Sequence, residues 1–596
     1  MLSRDAWRSR AGEGESEDEG GMVLVWMALL LFLLLGCAAI AIDVTFWQLE
    51  HNREQRAADA AALAGAVSFP QNPTTSNAAA QSVAGTNGYT VSTVTAFDLD
   101  GGCSLTSAQT IRMCVGTGSQ PFEYKVKIEH RVNNIFGGIF GITSSTIGAT
   151  ASATYLKPLS MGSPSNQFGN DPDAIRSWPV SNPPPQTYPN FWANIAGGSS
   201  TKQNGDAYAA DQCVAGTDGC SGVGIGNNLD YNPKGYFYTV DFTANSTVNL
   251  QAFDPAFVQV GDTCTDTTPN LATAKTLTRV PFYPEGTTNT ADIARRYAPV
   301  TNASNQSDPG FQYCTGDMLF GSGPAPATTY TVWKATVPGD PASAMQVCAP
   351  ITYPGFSGSV VNDLQNGITP AGAPSPLAAY FRQWVTLCTV SGNAGDEYFI
   401  QVSTDTGSQG HNRFSLRGVT SSGSAAPVDI AGNAYMGIYA NVGSQLTQFD
   451  LVRIPNAAAG HTLQLNFFDI GDAAAGSVGT LTVVPPSDSN VGSTFNGCQS
   501  TTSPGTGALG FASNTPTAPW GTLTPLANCA IQNVNNGGTW NGQWITVTIP
   551  IPANYTCDES DPNGCWTKIN YQFTGGISDT TSWNAALLGD PVHLTT

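Results

Sequence analysis

Met22–Ile42 reads MVLVWMALLLFLLLGCAAIAI, 21 residues without a charge, and the chain runs on without proline into Asp43–Ala66, DVTFWQLEHNREQRAADAAALAGA. A bilayer's hydrocarbon core of about 30 Å is crossed by about 20 apolar residues in a helix, so the first half predicts a single membrane span. The second half is polar on one side and alanine-rich on the other, which suits a helix that leaves the membrane and docks on protein. Helical throughout, the stretch would be roughly 65 Å long at about 1.5 Å per residue.

The composition beyond this stretch points to β structure. Of 596 residues, 64 are Gly and 39 are Pro, only 11% are charged and 10% are aromatic. That mix favours turn-rich β-sandwiches over a helical enzyme core, and the aromatics argue against disorder. The net charge of −20, with no Lys/Arg cluster, argues against a nucleic-acid or anionic-lipid partner, because phosphate recognition needs concentrated positive charge.

Of the thirteen cysteines, Cys37 lies inside the apolar run and the other twelve follow it. An even number beyond a membrane anchor reads as a disulfide framework in an oxidising compartment. Closeness pairs Cys103 with Cys114, Cys213 with Cys220 and Cys557 with Cys565; Cys264–Cys314, Cys348–Cys388 and Cys498–Cys529 would complete the set. Arg4, Arg8 and Arg10 precede the span and Arg53 and Arg56 follow it. That difference leans toward a cytoplasmic N-terminus, and the cysteines point the same way.

The Glu19-Gly20 lead, the single span, Asp43 at its outer end, Arg53 and Arg56, and the run AADAAALAGA from Ala57 to Ala66 together resemble the N-terminal domain of TadG-like proteins of the Tad/Flp pilus-assembly family. The resemblance covers about the first quarter of the chain. It implies a part in pilus assembly or tight adherence, with pilus components as partners. A prepilin-like cut after Gly21 would put Trp26 where such precursors carry Glu, so the expectation is an uncleaved anchor. Some TadG-like proteins carry a von Willebrand A domain with a DxSxS metal site, and no DxSxS occurs here.

The fold class expected is α+β: one transmembrane helix with a pilin-like small α+β module, then mainly antiparallel, jelly-roll-like β-sandwiches. The expected divisions are a cytoplasmic tail (1–21), anchor and extended helix (22–69), small module (70–157), Pro-rich linker (158–190), β-sandwich region with an insertion (191–485) and a C-terminal β domain (486–596). Ala57, Ala61 and Gly65, and Ala58, Ala62 and Ala66, form small-residue seams. They would pack on the protein's own sheet, or else against a second copy through self-association. Glu123–Val132, EYKVKIEHRV, alternates as a half-buried strand does. NIFGGIFGIT, from Asn134, reads as an apolar turn or short helix. TVNLQAFD (Thr247–Asp254) and TLQLNFFD (Thr462–Asp469) echo each other at an offset of 215, which suggests two related sandwiches or one that is split.

Chemistry-bearing motifs are sparse. There is no HExxH, P-loop, CxxC or GxSxG, and His51, His130, His411, His461 and His593 are scattered. The chain is therefore expected not to be an enzyme, with a surface hydrolase as a remote alternative. An adhesion or carbohydrate-binding module holding a surface glycan is the nearer one. The only metal expectation is structural Ca²⁺ on loop carboxylates: Asp254 with Asp262, Asp469 with Asp472, or Asp558, Asp561 and Asn563 inside the Cys557–Cys565 loop. Asp in turns also caps its own backbone, which is the alternative for each. Trp566, Tyr571, Phe573 and Trp583 are expected in the core rather than on a ligand platform.

Overall fold

The computed structural model describes residues 19–67, 69, 73–97, 103–106, 108–118, 123–155, 157–169, 190–214, 217, 220, 222–254, 258–259, 317–318, 326–355, 376–381, 383–442, 446–471, 477–501, 523–535, 542–575, 577–588 and 592–595. The chain forms two compact units: Met1–Tyr155 with Val592–Thr596, and Leu156–Pro591.

In the first unit, helix α1 (Glu19–Ala66) is continuous. Its apolar half, Met22 to Leu35, is exposed, whereas Glu54, Ala57, Ala58, Ala61, Ala62, Gly65 and Ala66 form a buried stripe at i, i+3, i+4 spacing. That stripe meets helix α2 (Pro73–Thr86) and a sheet of β1 (Thr95–Ala96), β2 (Ile111–Thr117), β3 (Glu123–Asn133), β4 (Ser144–Tyr155) and the C-terminal strand Val592–Thr595, in that order. Pairing is antiparallel except between β1 and β2. Tyr124, Val126 and Ile128 of β3 point into the core, as the alternation required. Small residues on α1 let the helix lie close: a Cβ on Gly65 would come within 2.0 Å of the Tyr124 ring. The alanine seams are thus covered within the module and are not left for a second copy.

The second unit is a sandwich of two large, mainly antiparallel sheets. One runs Met345–Gln346, Thr328–Lys334, Glu397–Thr404, Tyr236–Phe242, Val428–Asn433, Ser160–Met161, Thr447–Arg453, Trp566–Phe573, Gly479–Val484, Ala530–Val534. The other runs Trp384–Gly392, Ser246–Phe253, His411–Val419, Asn190–Ala196, Tyr435–Val442, Ile577–Leu588, Thr462–Phe468, Trp544–Pro550, Gln499–Thr501, Leu523–Pro525. Their inner faces share one apolar core, with Tyr238 of the first sheet edge-on to Phe414 of the second at 5.9 Å. Trp566, Tyr571, Phe573 and Trp583 are buried.

These sheets redraw the expected divisions. Strands from 486–596 lie between strands from 191–485 in both sheets, so no domain boundary falls at 485. Ser160–Met161 and Gln167–Phe168, placed in the expected linker, pair into the sandwich, and Val592–Thr595 belongs to the first unit. The two echoed strands, Ser246–Phe253 and Thr462–Phe468, occupy one sheet, and the strands preceding them, Tyr236–Phe242 and Thr447–Arg453, occupy the other. The two related halves are fused side by side through continuous sheets.

Candidate functional site

A cluster of polar contacts on the first unit lies where α1 stops being apolar. Asp43, the first ionisable residue after the charge-free run, is buried. Its carboxylate accepts hydrogen bonds from the backbone N–H groups of Ile135 (2.8 Å), Phe136 (3.2 Å) and Gly137 (2.6 Å). Those groups open the short 3₁₀ helix Gly137–Phe140, whose own N-cap residue, Phe136, has no capping side chain. Asp43 supplies the cap from 92 residues away in sequence.

The loop is closed on itself as well. Asn134 N–H donates to Thr143 O (3.0 Å) and Ile142 N–H to Gly137 O (3.0 Å). The Asn134 side chain donates to Ile142 O (2.9 Å) and accepts from Trp47 Nε1 (2.9 Å) and Ser145 Oγ (2.9 Å). Gly137 is required, since a Cβ there would meet Ile142 O at 2.7 Å. With its backbone held, the loop turns Ile135, Ile139, Phe140 and Ile142 outward, Ile139 being 77% exposed. Just beyond Asp43, an open cavity of about 560 Å³ is lined by Val44, Trp47, Gln48, His51, Asn52 and Ser145–Gly148.

About three turns beyond Asp43 on α1, Glu54 is 1% exposed, and no hydrogen-bond partner reaches either carboxylate oxygen. Burial first, then the charges of Glu129 and Glu50, push it up to about 8, with Lys127 opposing. Lys127 is engaged by Glu129 at 2.8 Å. Tyr89, which stands edge-on to His130, is raised to about 12 by its burial and by Glu54 and Glu50.

Among the sequence-derived sites, the structure joins Cys103–Cys114, Cys213–Cys220, Cys348–Cys388, Cys498–Cys529 and Cys557–Cys565, and leaves Cys37 free. Cys264 and Cys314 lie outside the described residues, as do Asp262 and Asp472. Each expected pair, Asp254 with Asp262 and Asp469 with Asp472, therefore has one member outside the described residues. Asp469 accepts from the backbone N–H of Gly542. Asp558 accepts from Ser560 and Asp561 from Asn563, which are local turn contacts. Asp488 lies near Cys557 and Cys565, but those sulfurs are bonded to each other, and the carboxylate accepts from Cys565 N–H. His411 is buried against Asn194.

The apolar turn or short helix expected from Asn134 is present as the 3₁₀ helix Gly137–Phe140, whereas its clamping by Asp43 was not read from the sequence. The loop's signal is a ten-residue segment with no charge, five large apolar residues and three glycines.

Residues 20–68 match the Tad family. The family is described as putative Flp pilus-assembly TadE/G-like. The TadE/G-like segment coincides with α1, whose most apolar window has a mean hydropathy of 2.8 and is not buried at all. A helix of this length and composition is able to cross a membrane, and together with the match it marks the chain as membrane-anchored. No curated protein matches the chain. Among solved structures, it is similar to the N-terminal CBM22-1-CBM22-2 tandem domain of Paenibacillus barcinonensis Xyn10C, at 13% identity and a TM-score of 0.12, over 47% of this chain and 76% of that one. At that score the likeness carries no argument.

Proposed function

We propose that the chain is a single-pass surface protein that acts structurally in Tad/Flp pilus assembly or tight adherence. Its N-terminus lies in the cytoplasm, and everything beyond Asp43 lies outside. It works by contact rather than by catalysis. The observation that carries this reading is the division of the TadE/G-like helix into an exposed apolar half and a half that docks on its own sheet through an alanine stripe. Such a helix holds a folded module close against the bilayer. The disulfides beyond the span support the orientation, because they persist in oxidising compartments.

Deletion of the gene in its own host, with pili counted by electron microscopy and surface adherence scored, tests the reading. Loss of pili or adherence, restored by the full chain, is the expected result. Wild-type pili and adherence in the deletion strain would overturn it.

A further inference from the structure

We propose that the loop Ile135–Ile142 is a second membrane contact, whose apolar tip enters the interfacial layer of the bilayer that α1 crosses; this rests on the anchored reading above. Met22–Ile42 is 21 residues, about 31 Å of helix, which is one hydrocarbon thickness. Asp43 therefore stands at the edge of the apolar layer. A bare carboxylate there is costly, and three backbone N–H groups satisfy it.

Those same N–H groups belong to the loop, so the loop is fixed at the depth of Asp43. Its exposed side chains are Ile135, Ile139, Phe140 and Ile142, and no charged residue occurs from Asn134 to Thr143. Backbone bonds from Asn134 to Thr143, from Ile142 to Gly137 and from Gly141 to Gly138 leave few groups that would need water. One turn beyond Asp43, Trp47 places an amphipathic ring at headgroup level, its Nε1 held by Asn134. Gln48, His51, Asn52, Ser145 and Thr146, around the cavity, continue the polar side of that boundary.

The occupant is lipid because the patch is continuous with the spanning helix at the level where lipid begins. The absence of Lys and Arg from the loop makes insertion apolar rather than electrostatic. Two points of contact would restrict the module's rotation about α1.

The test uses the full chain in nanodiscs of phosphatidylcholine, in a Cys37→Ser background, with one cysteine carrying the environment-sensitive dye NBD. The sites are Ile139→Cys on the loop, Leu31→Cys in mid-span and Ser82→Cys on the exposed side of α2. Emission at position 139 should be blue-shifted relative to position 82 and quenched by acyl-chain doxyl lipids, and should not change with salt. In an added Asp43→Ala background that quenching should fall several-fold, with position 31 unaffected. Emission at 139 that matches position 82, while position 31 remains quenched, would overturn the loop contact and leave the anchor intact. A blue shift at 139 without lipid quenching would mean that protein covers the tip, and would equally overturn it. Loss of quenching at position 31 would remove the anchored reading itself.

Discussion

Glu54 puts an ionisable group on the alanine face of α1, in the company of Glu50, Glu129, Lys127 and Tyr89. Unfolded, it titrates near 4.5; folded, near 8. Between those values the unfolded chain releases a proton that the folded module keeps, so this group's contribution to stability falls as pH rises from about 4.5 to 8, then levels off. Glu54→Gln should flatten that slope and stabilise the first unit at pH 8 by about 2 kcal/mol, after discounting for solvent screening, as read from amide exchange along Ala57–Ala66 in micelles. The second unit holds a different buried charge: Lys202 Nζ lies 2.6 Å from Asp230 and over the Phe468 and Trp544 rings, with both charged groups fully buried. Lys202→Ala strands Asp230 and should cost about 3–5 kcal/mol in chemical denaturation, whereas Lys202→Met with Asp230→Leu should recover most of the loss.

At the scale of elements, the close approach of α1 to β3 depends on Gly65. Gly65→Val would drive a branched side chain into Tyr124, whose hydroxyl donates to Asn77 of α2, and should destabilise the first unit by about 1–3 kcal/mol in thermal unfolding. Much of this unit was legible: the charge-free run and the alternation of Glu123–Val132 are local signals, and the small-residue seams marked a packing face, although the seams alone did not say whether the protein's own sheet or a second copy covers it. The gapless echo of TVNLQAFD in TLQLNFFD likewise suggested two related sandwiches or one that is split, and the structure shows both echoed strands in one sheet. The fusion of the two halves was not legible: in one sheet it runs through Ser160–Met161, a two-residue strand between Val428–Asn433 and Thr447–Arg453 that is too short to show a period, and in the other through Tyr435–Val442, whose partners Asn190–Ala196 and Ile577–Leu588 lie far away in sequence. The clamp of Asp43 on the loop was hidden for a related reason. Asp43 reads as the end of a span, and a contact across 92 residues leaves no mark in sequence spacing.

Over the whole molecule, the second unit is an insertion between two neighbouring strands of the first. Tyr155 at the end of β4 pairs directly with Val592 at the start of the C-terminal strand, so the chain leaves and re-enters the first unit at one point. Replacing Leu156–Pro591 by a two-residue Asn-Gly turn should therefore leave a folded, membrane-anchored first unit with its Cys103–Cys114 bond intact, as seen by protease resistance in micelles. The central claim is one crossing with the sandwich on the far side. Its most direct test is labelling by a membrane-impermeant maleimide in spheroplasts, using Cys37→Ser chains that carry either Ser3→Cys or Ser422→Cys, the latter in an exposed turn of the second unit. Ser422→Cys should label in intact spheroplasts and Ser3→Cys only after lysis; labelling of Ser3→Cys in intact spheroplasts, with Ser422→Cys protected until lysis, would contradict the account.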